Sequence, residues 1–375
     1  MKILLTGGGS GGHFYPIVAV AEALNTAIDE KRLVEGDIYY MGDKPYNERL
    51  LFDNRVTFVR IHAGKIRRYF SLLNIFDIIK TLVSVVSTFF KVFKIYPDVI
   101  FSKGGYVSFP PLVAARLLGI PVIIHESDSV PGRTNMWAAK FAERIAISYP
   151  QASVHFPADK LALTGNPIRK SIIHPIHQGA EEFLGIDAQV PTILIEGGSQ
   201  GSLIINENLM DILPTLVSKY FVIHQTGKKN YEVVREMSSV ALASSQYKNR
   251  YKPYDYLNDL TLSMAAAVCS LVVSRAGSSI FEIAIWGLPS IIIPITDSNG
   301  DHQRQNAFNY ARAGAATVIE EVNLTPHVLL SEIDRLIGDA KAREKMIAET
   351  KHFAHPDAAH KIAEEIIRIG LTHEK

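Results

Sequence analysis

The feature that most restricts this 375-residue chain is a long internal repeat. VIFSKGGYVSFPPLVAARLLGIPVIIHESDS, residues 99–129, returns half a chain later as LVVSRAGSSIFEIAIWGLPSIIIPITDS, residues 271–298. Each copy reads as an apolar strand, a Ser-basic-x-Gly turn, a helix, Gly-x-Pro, a second strand and an acidic-serine turn. A shorter pair agrees with it: KILLTGGGSGGH near the amino terminus has its counterpart in TILIEGGSQGS. One strand–loop–helix plan used twice calls for two domains of similar build. Length points the same way, because single cores stop growing at roughly 250–300 residues.

Strand-length apolar runs alternate with helix-length segments throughout. KILLT, DIYYMG, VTFVRI, VIFS, VIIH and IAIS fall in the first half; TILIEG, YFVIHQT, SLVVS and SIIIPI fall in the second. This alternation predicts parallel sheets wrapped by helices. The expected fold class is α/β, with two Rossmann-like doubly wound domains facing a cleft and a ligand at the carboxyl ends of the strands. The seam is expected in TGNPIRKSIIHPIHQG, residues 164–179, where prolines and polar residues break the periodicity. That puts the domains at 1–165 and 166–354, with a C-terminal helix at about 355–375 packing back on the first.

Composition mainly excludes. Lys plus Arg number 39 against 38 acidic residues, so no global charge selects a nucleic-acid partner, and none is expected. The single cysteine, Cys269, precludes an intramolecular disulfide and suits a reducing compartment; the apolar SLVVS after it marks it as core. KILLT gives way to glycine where a signal peptide would continue. The most apolar stretch, residues 69–96, is interrupted by Asp77, Lys80, Lys91 and Lys94, leaving an uncharged run too short to span a bilayer. A soluble or membrane-surface protein is expected.

In MKILLTGGGSGGHFYP, Gly7, Gly9 and Gly12 satisfy G-x-G-x-x-G. A dinucleotide site would need an acidic residue about 20 positions on. Arg32 stands there instead, and Asp43 comes too late. What survives is the general device, a glycine turn at a helix start whose N–H groups and dipole face an anion. We read it as a phosphate cradle. Gly197-Gly198-Ser199-Gln200-Gly201 and Ser274-Arg275-Ala276-Gly277-Ser278-Ser279 repeat the device in the second half.

Several side chains near these loops have two readings each. Arg169, at the seam, is either a solvated charge or a bidentate partner for a diphosphate. Glu282 either complements its helix dipole or accepts hydrogen bonds from a ribose diol. His13 is either a satisfied polar residue or a general base whose pKa lies near working pH. His125-Glu126, ending a strand, is a second candidate pair. No H-e-x-x-H spacing occurs, and neither a metal nor a cofactor is expected.

GGGSGGHFYP, SKGGYVSFP, HESDSVPGRTN, TGNPIR, GGSQGS, HQTGK, SRAGSSIFEIAIWGLP and DHQRQNA occur in this order across residues 7–307. Together they resemble the MurG family, family 28 glycosyltransferases of GT-B fold that make lipid II for peptidoglycan. The resemblance implies inverting transfer of N-acetylglucosamine from UDP-N-acetylglucosamine to lipid I, a muramyl peptide carried on a polyprenyl diphosphate. It implies that His13 and Glu126 serve catalysis. Ser10, Gly11, Gly12, Asp128, Arg169, Ser199, Gln200, Leu257, Ser278, Ser279, Glu282 and Gln303 would hold the donor; among them Leu257 meets the uracil, Glu282 the ribose and Gln303 the sugar. Gly104, Gly105, Tyr106 and Asn135 would hold the acceptor and its diphosphate.

This chain departs from the family pattern in three places. Asp128 stands where Asn is usual, Phe109 where a small residue is usual, and the Arg275–Glu282 stretch is one residue short.

A lipid-linked acceptor implies contact with the anionic, cytoplasmic face of the bacterial membrane, and membership of a cell-wall synthesis complex is open to such an enzyme. Residues 65–96 combine large apolar side chains with Lys65, Arg67, Arg68, Lys80, Lys91 and Lys94, which suits such a surface. The expected patch is Arg67, Arg68, Tyr69, Phe70, Leu72 and Leu73, with Ile66 and Ile75 also outward. The competing function is a UDP-N-acetylglucosamine 2-epimerase, which shares the two-domain layout and needs no membrane patch.

Overall fold

The computed structural model describes residues 1–373 apart from 9–10, 32–35, 63–72, 199 and 297–298, and only the backbone of 73–80 and 299. The first sheet contains β1 (Lys2–Thr6), β2 (Asp37–Gly42), β3 (Val56–Arg60), β4 (Val99–Ser102), β5 (Val122–Glu126), β6 (Arg144–Ile147) and β7 (Leu161–Leu163), in the order β3-β2-β1-β4-β5-β6-β7. The second contains β8 (Thr192–Glu196), β9 (Phe221–Gln225), β10 (Tyr251–Tyr254), β11 (Cys269–Ser274), β12 (Ser290–Ile292) and β13 (Thr317–Val318), in the order β10-β9-β8-β11-β12-β13. Every neighbouring pair is parallel.

Why these runs become central strands is visible in β1. Ile3 and Leu5 pack on one face with Phe14, Ile17 and Leu24 of the helix Gly11–Glu30. Leu4 points the other way, among Ile100, Ile124 and Ile145. A strand buried on both faces cannot alternate polar and apolar residues, so it reads as a continuous apolar run. The second sheet has the same build, with Ile193, Ile195, Val222, Val273 and Ile291 sharing one cluster.

The chain forms two compact units, Met1–Arg169 with His355–Lys375, and Lys170–Ala354. The seam lies a few residues beyond the expected 165/166, so Arg169 belongs to the first unit. The helix Ala358–His373 returns to that unit because Ile362, Ile366 and Ile367 bury against the Gly11–Glu30 helix. Each such side chain contributes about 1.5–3 kcal/mol relative to solvent.

In each sheet the strand order reverses once, between β1 and β4 and between β8 and β11. At such a point the two adjacent loops diverge and leave a crevice at the strands' carboxyl ends. The four strands concerned are those that feed the repeated glycine motifs.

Candidate active site

In the first unit Thr6 lies opposite Ser102, and Ser102 opposite Ile124, so the loops after β1, β4 and β5 emerge side by side. The loop after β4 turns through Gly104 and Gly105, with φ of 82° and 85°. A side chain is excluded at both positions. A Cβ on Gly104 would lie 2.8 Å from the Asn135 amide, and one on Gly105 would lie 3.1 Å from Gly8 O and 3.6 Å from His13 Cε1. The positive φ and the nearby Gly8 O are what call for glycine at 105, and His13, in the first turn of its helix, lies at ordinary contact distance from that position. Gly11 and Gly12 open the same helix.

Glu126 is buried and already committed. Its Oε1 accepts from Asp128 N at 3.0 Å, and its Oε2 accepts from Gly132 N and Asn135 Nδ2, both at 2.9 Å. Burial and the Asp128 carboxylate raise its pKa, against those three donors. Asn135 also donates to His125 O at 3.1 Å, so it braces the turn from beneath. Tyr106 Oη donates to Asp43 Oδ2 at 3.1 Å. Lys103 joins β4 to β5, its Nζ 2.6 Å from His125 Nδ1. Arg169 is 3 % exposed, with its guanidinium carbon 4.0 Å over the Tyr15 ring.

In the second unit β8 ends at Glu196 and the glycine loop leads to Ser202, whose side chain caps the helix Leu203–Lys219. Gln225, at the end of β9, holds two loops at once. Its Nε2 donates to Gly198 O at 3.2 Å and its Oε1 accepts from Leu257 N at 2.8 Å. Arg275 Nη2 donates to Ser202 Oγ and Glu321 Oε1, each at 2.6 Å, and Nη1 donates to Ile293 O at 3.1 Å. Glu321 Oε2 also accepts from Thr296 N. Burial works to raise the Glu321 carboxyl, but Thr296 and Arg275 together hold it low.

The helix Ser279–Trp286 carries Glu282 in its first turn, with Ser278 as its N-cap residue. Ser279 faces back to β11, its Oγ 3.1 Å from Ser274 Oγ. Buried Glu196 has its pKa pushed up to about 8, by burial first and by Glu282 second. Gln303 Oε1 accepts from Ile295 N at 3.2 Å, while Gln200 is exposed. A cavity of about 430 Å³ lies beside Ile295, Asp301, Arg304 and Glu320, and among the described residues none of the expected donor residues lines it.

Ser10, Ser199, Arg67, Arg68, Tyr69, Phe70 and Leu72 lie outside the described residues, as does the Leu73 side chain. Lys103, Glu196, Gln225 and Arg275 were not singled out as site residues from sequence. Each nevertheless sits in or beside a glycine motif, next to a residue that was.

The chain matches the glycosyltransferase family 28 N-terminal domain over residues 3–147 and the family 28 C-terminal domain over residues 192–362. The UDP-N-acetylglucosamine–N-acetylmuramyl-(pentapeptide) pyrophosphoryl-undecaprenol N-acetylglucosamine transferase 3 of Bacillus thuringiensis (strain Al Hakam) is 35 % identical over 91 % of this chain and 93 % of its own. The chain belongs to glycosyltransferase family 28. A second family 28 relative, the corresponding transferase of Halothermothrix orenii (strain H 168), is 36 % identical over 95 % of both chains. Among solved structures, MurG of Acinetobacter baumannii superposes with a TM-score of 0.71 at 26 % identity, covering 98 % of this chain and 99 % of that one. The two doubly wound units are those of the GT-B glycosyltransferase fold. A Listeria monocytogenes protein described as a putative UDP-N-acetylglucosamine 2-epimerase has a TM-score of 0.69 at 15 % identity over 100 % of this chain and 97 % of that one, a likeness of fold alone.

Proposed function

We propose that this chain transfers N-acetylglucosamine from UDP-N-acetylglucosamine to the 4-hydroxyl of the muramyl sugar of lipid I, with inversion, giving lipid II. The observation that carries this reading is the name shared by relatives 35–36 % identical over more than nine tenths of both chains. The epimerase alternative rests on fold likeness at 14–16 % identity.

The reaction must deprotonate a hydroxyl and stabilise a departing diphosphate. His13 is the base in this reading: its ring sits over Gly105, whereas three donors already occupy Glu126. A positioned base contributes about 10²–10⁴-fold. The donor lies on the second unit, its diphosphate at the start of the Leu203–Lys219 helix, where N–H groups and the dipole favour growing negative charge. Glu282 takes the ribose hydroxyls and Gln303 reads the sugar. Leu257 meets the uracil through its carbonyl, because its N–H is given to Gln225.

We place the chain peripherally on the anionic cytoplasmic leaflet, where the acceptor's lipid resides. The helix Leu73–Ile95 supports this, because Leu82, Val83, Val86, Phe90 and Phe93 recur at helical spacing and are 57–64 % exposed, with Lys94 beside them. In the sequence they lie nine to twenty residues beyond Leu73, the last residue of the expected patch. Among the described residues no helix is long and apolar enough to cross a membrane.

UDP release, measured with and without a short-chain lipid I analogue, tests the reaction. Acceptor-dependent release is expected. A sugar product formed equally without acceptor would replace the transferase reading with the epimerase one.

A further inference from the structure

Beneath the first unit's glycine loops lies a lysine that is 1 % exposed. Lysine is almost never so buried without partners. Lys103 Nζ donates to His125 Nδ1 at 2.6 Å and to Asn166 Oδ1 at 2.9 Å. His125 Nε2 faces Gly165 O at 2.9 Å, and a carbonyl only accepts. The ring therefore carries its proton on Nε2 and offers a lone pair to the ammonium. Both partners of Lys103 are neutral, so its charge must be answered elsewhere.

The answering charges come from one turn. Glu126 ends β5, and Asp128, two residues on, donates its N–H to the Glu126 carboxylate. Burial pulls Lys103 down to about 7, while Glu126 and then Asp128 work to keep it protonated. The other titratable groups facing this cluster are His125, held low by burial and by Lys103, and His13 on the adjoining helix. Two carboxylates at the edge of a site repel an anionic substrate unless a cation offsets them.

We propose that Lys103 is a charge-balancing positioning residue: its buried ammonium offsets the Glu126–Asp128 pair, so that the first unit's site admits a diphosphate-bearing acceptor. The inference rests on the transfer reading for the identity of that acceptor. Lys103 acts through the field and through His125 and does not touch the reacting atoms. Its removal shifts the balance at this turn toward negative charge, and neutralising one carboxylate should then restore it. A lysine that merely braced His125 and Asn166 would show no such rescue.

The test compares wild type, Lys103→Met, Asp128→Asn and the double variant, by kcat/KM for the short-chain lipid I analogue and by thermal midpoint. Lys103→Met is expected to lower kcat/KM about 30-fold and Asp128→Asn about threefold, with the double variant recovering roughly tenfold over Lys103→Met. A double variant equal to the product of the singles overturns the inference. If Lys103→Met does not fold, a folded double variant supports the balance and an unfolded one overturns it. If wild type shows no acceptor-dependent UDP release, the transfer reading falls separately. The thermal midpoints then decide: rescue by Asp128→Asn supports the balance, and additivity overturns it.

Discussion

Beneath the loop after β1 stand Lys103, His125 and Glu126, joined through Asn135 and all able to change charge. Beneath the loop after β8 stand Gln225, bridging Gly198 and Leu257, and Arg275, bridging Ser202, Ile293 and Glu321. Those two offer a side-chain amide and a planar guanidinium fork. The same strand–glycine–helix device is thus backed by titratable groups in one unit and by fixed donors in the other. A site that moves a proton needs a group that titrates near neutrality. A site that holds a nucleotide diphosphate needs donors that do not vary. Glu196 is the second unit's exception.

The contrast breaks most plainly at His13. His13→Ala is expected to lower kcat for UDP release about 10³-fold with KM changed little, and Glu126→Gln to cost far less kcat while lowering the thermal midpoint. A larger kcat loss in Glu126→Gln would move the base to that carboxylate. Next in size is Arg275→Met, which leaves Glu321 without its partner; denaturant unfolding should show a loss of about 3 kcal/mol. An unchanged midpoint would mean that the clamp on Ser202 contributes nothing to the fold.

Glu196 sharpens the comparison through pH. Its carboxyl rises from 4.5 to about 8 in the folded state. Between those values the unfolded chain releases the proton and the folded chain keeps it, so this group lowers stability progressively as pH rises. Glu196→Gln should match wild type below pH 4.5 and exceed it by a margin that widens steadily up to pH 8, measured by unfolding across that range. A pH-independent difference would remove Glu196 from the titrating set. The smallest effect is expected for Gln225→Leu, which raises KM for UDP-N-acetylglucosamine about fivefold with kcat retained, since two modest hydrogen bonds position the loops. A kcat loss without a KM change would show that Gln225 serves the chemical step.

The ten strands read from sequence all form, and three more, β7, β10 and β13, join them. All three lie at sheet edges. Edge strands are short and half exposed, and β10 contains Pro253, which is tolerated only where a ladder bond can be lost. Their apolar signal is too weak to rise above a loop. Of the site, the glycines and His13 were legible because a turn's backbone demand is written in the residue itself. Lys103, Gln225 and Arg275 were not, because their partners lie 18 to 73 positions away in the chain.

The sequence by itself determined the two-unit α/β plan, the strands at each sheet's reversal point and the glycine loops they feed, because repetition and period survive in a one-dimensional string. Only the tertiary structure decided that Arg169 belongs to the first unit, that Glu126 closes its own turn, and that Lys103 meets His125 and Asn166. Charge balance and hydrogen-bond commitment depend on which side chains the packed sheets bring within 3 Å of one another, and no local pattern records that distance.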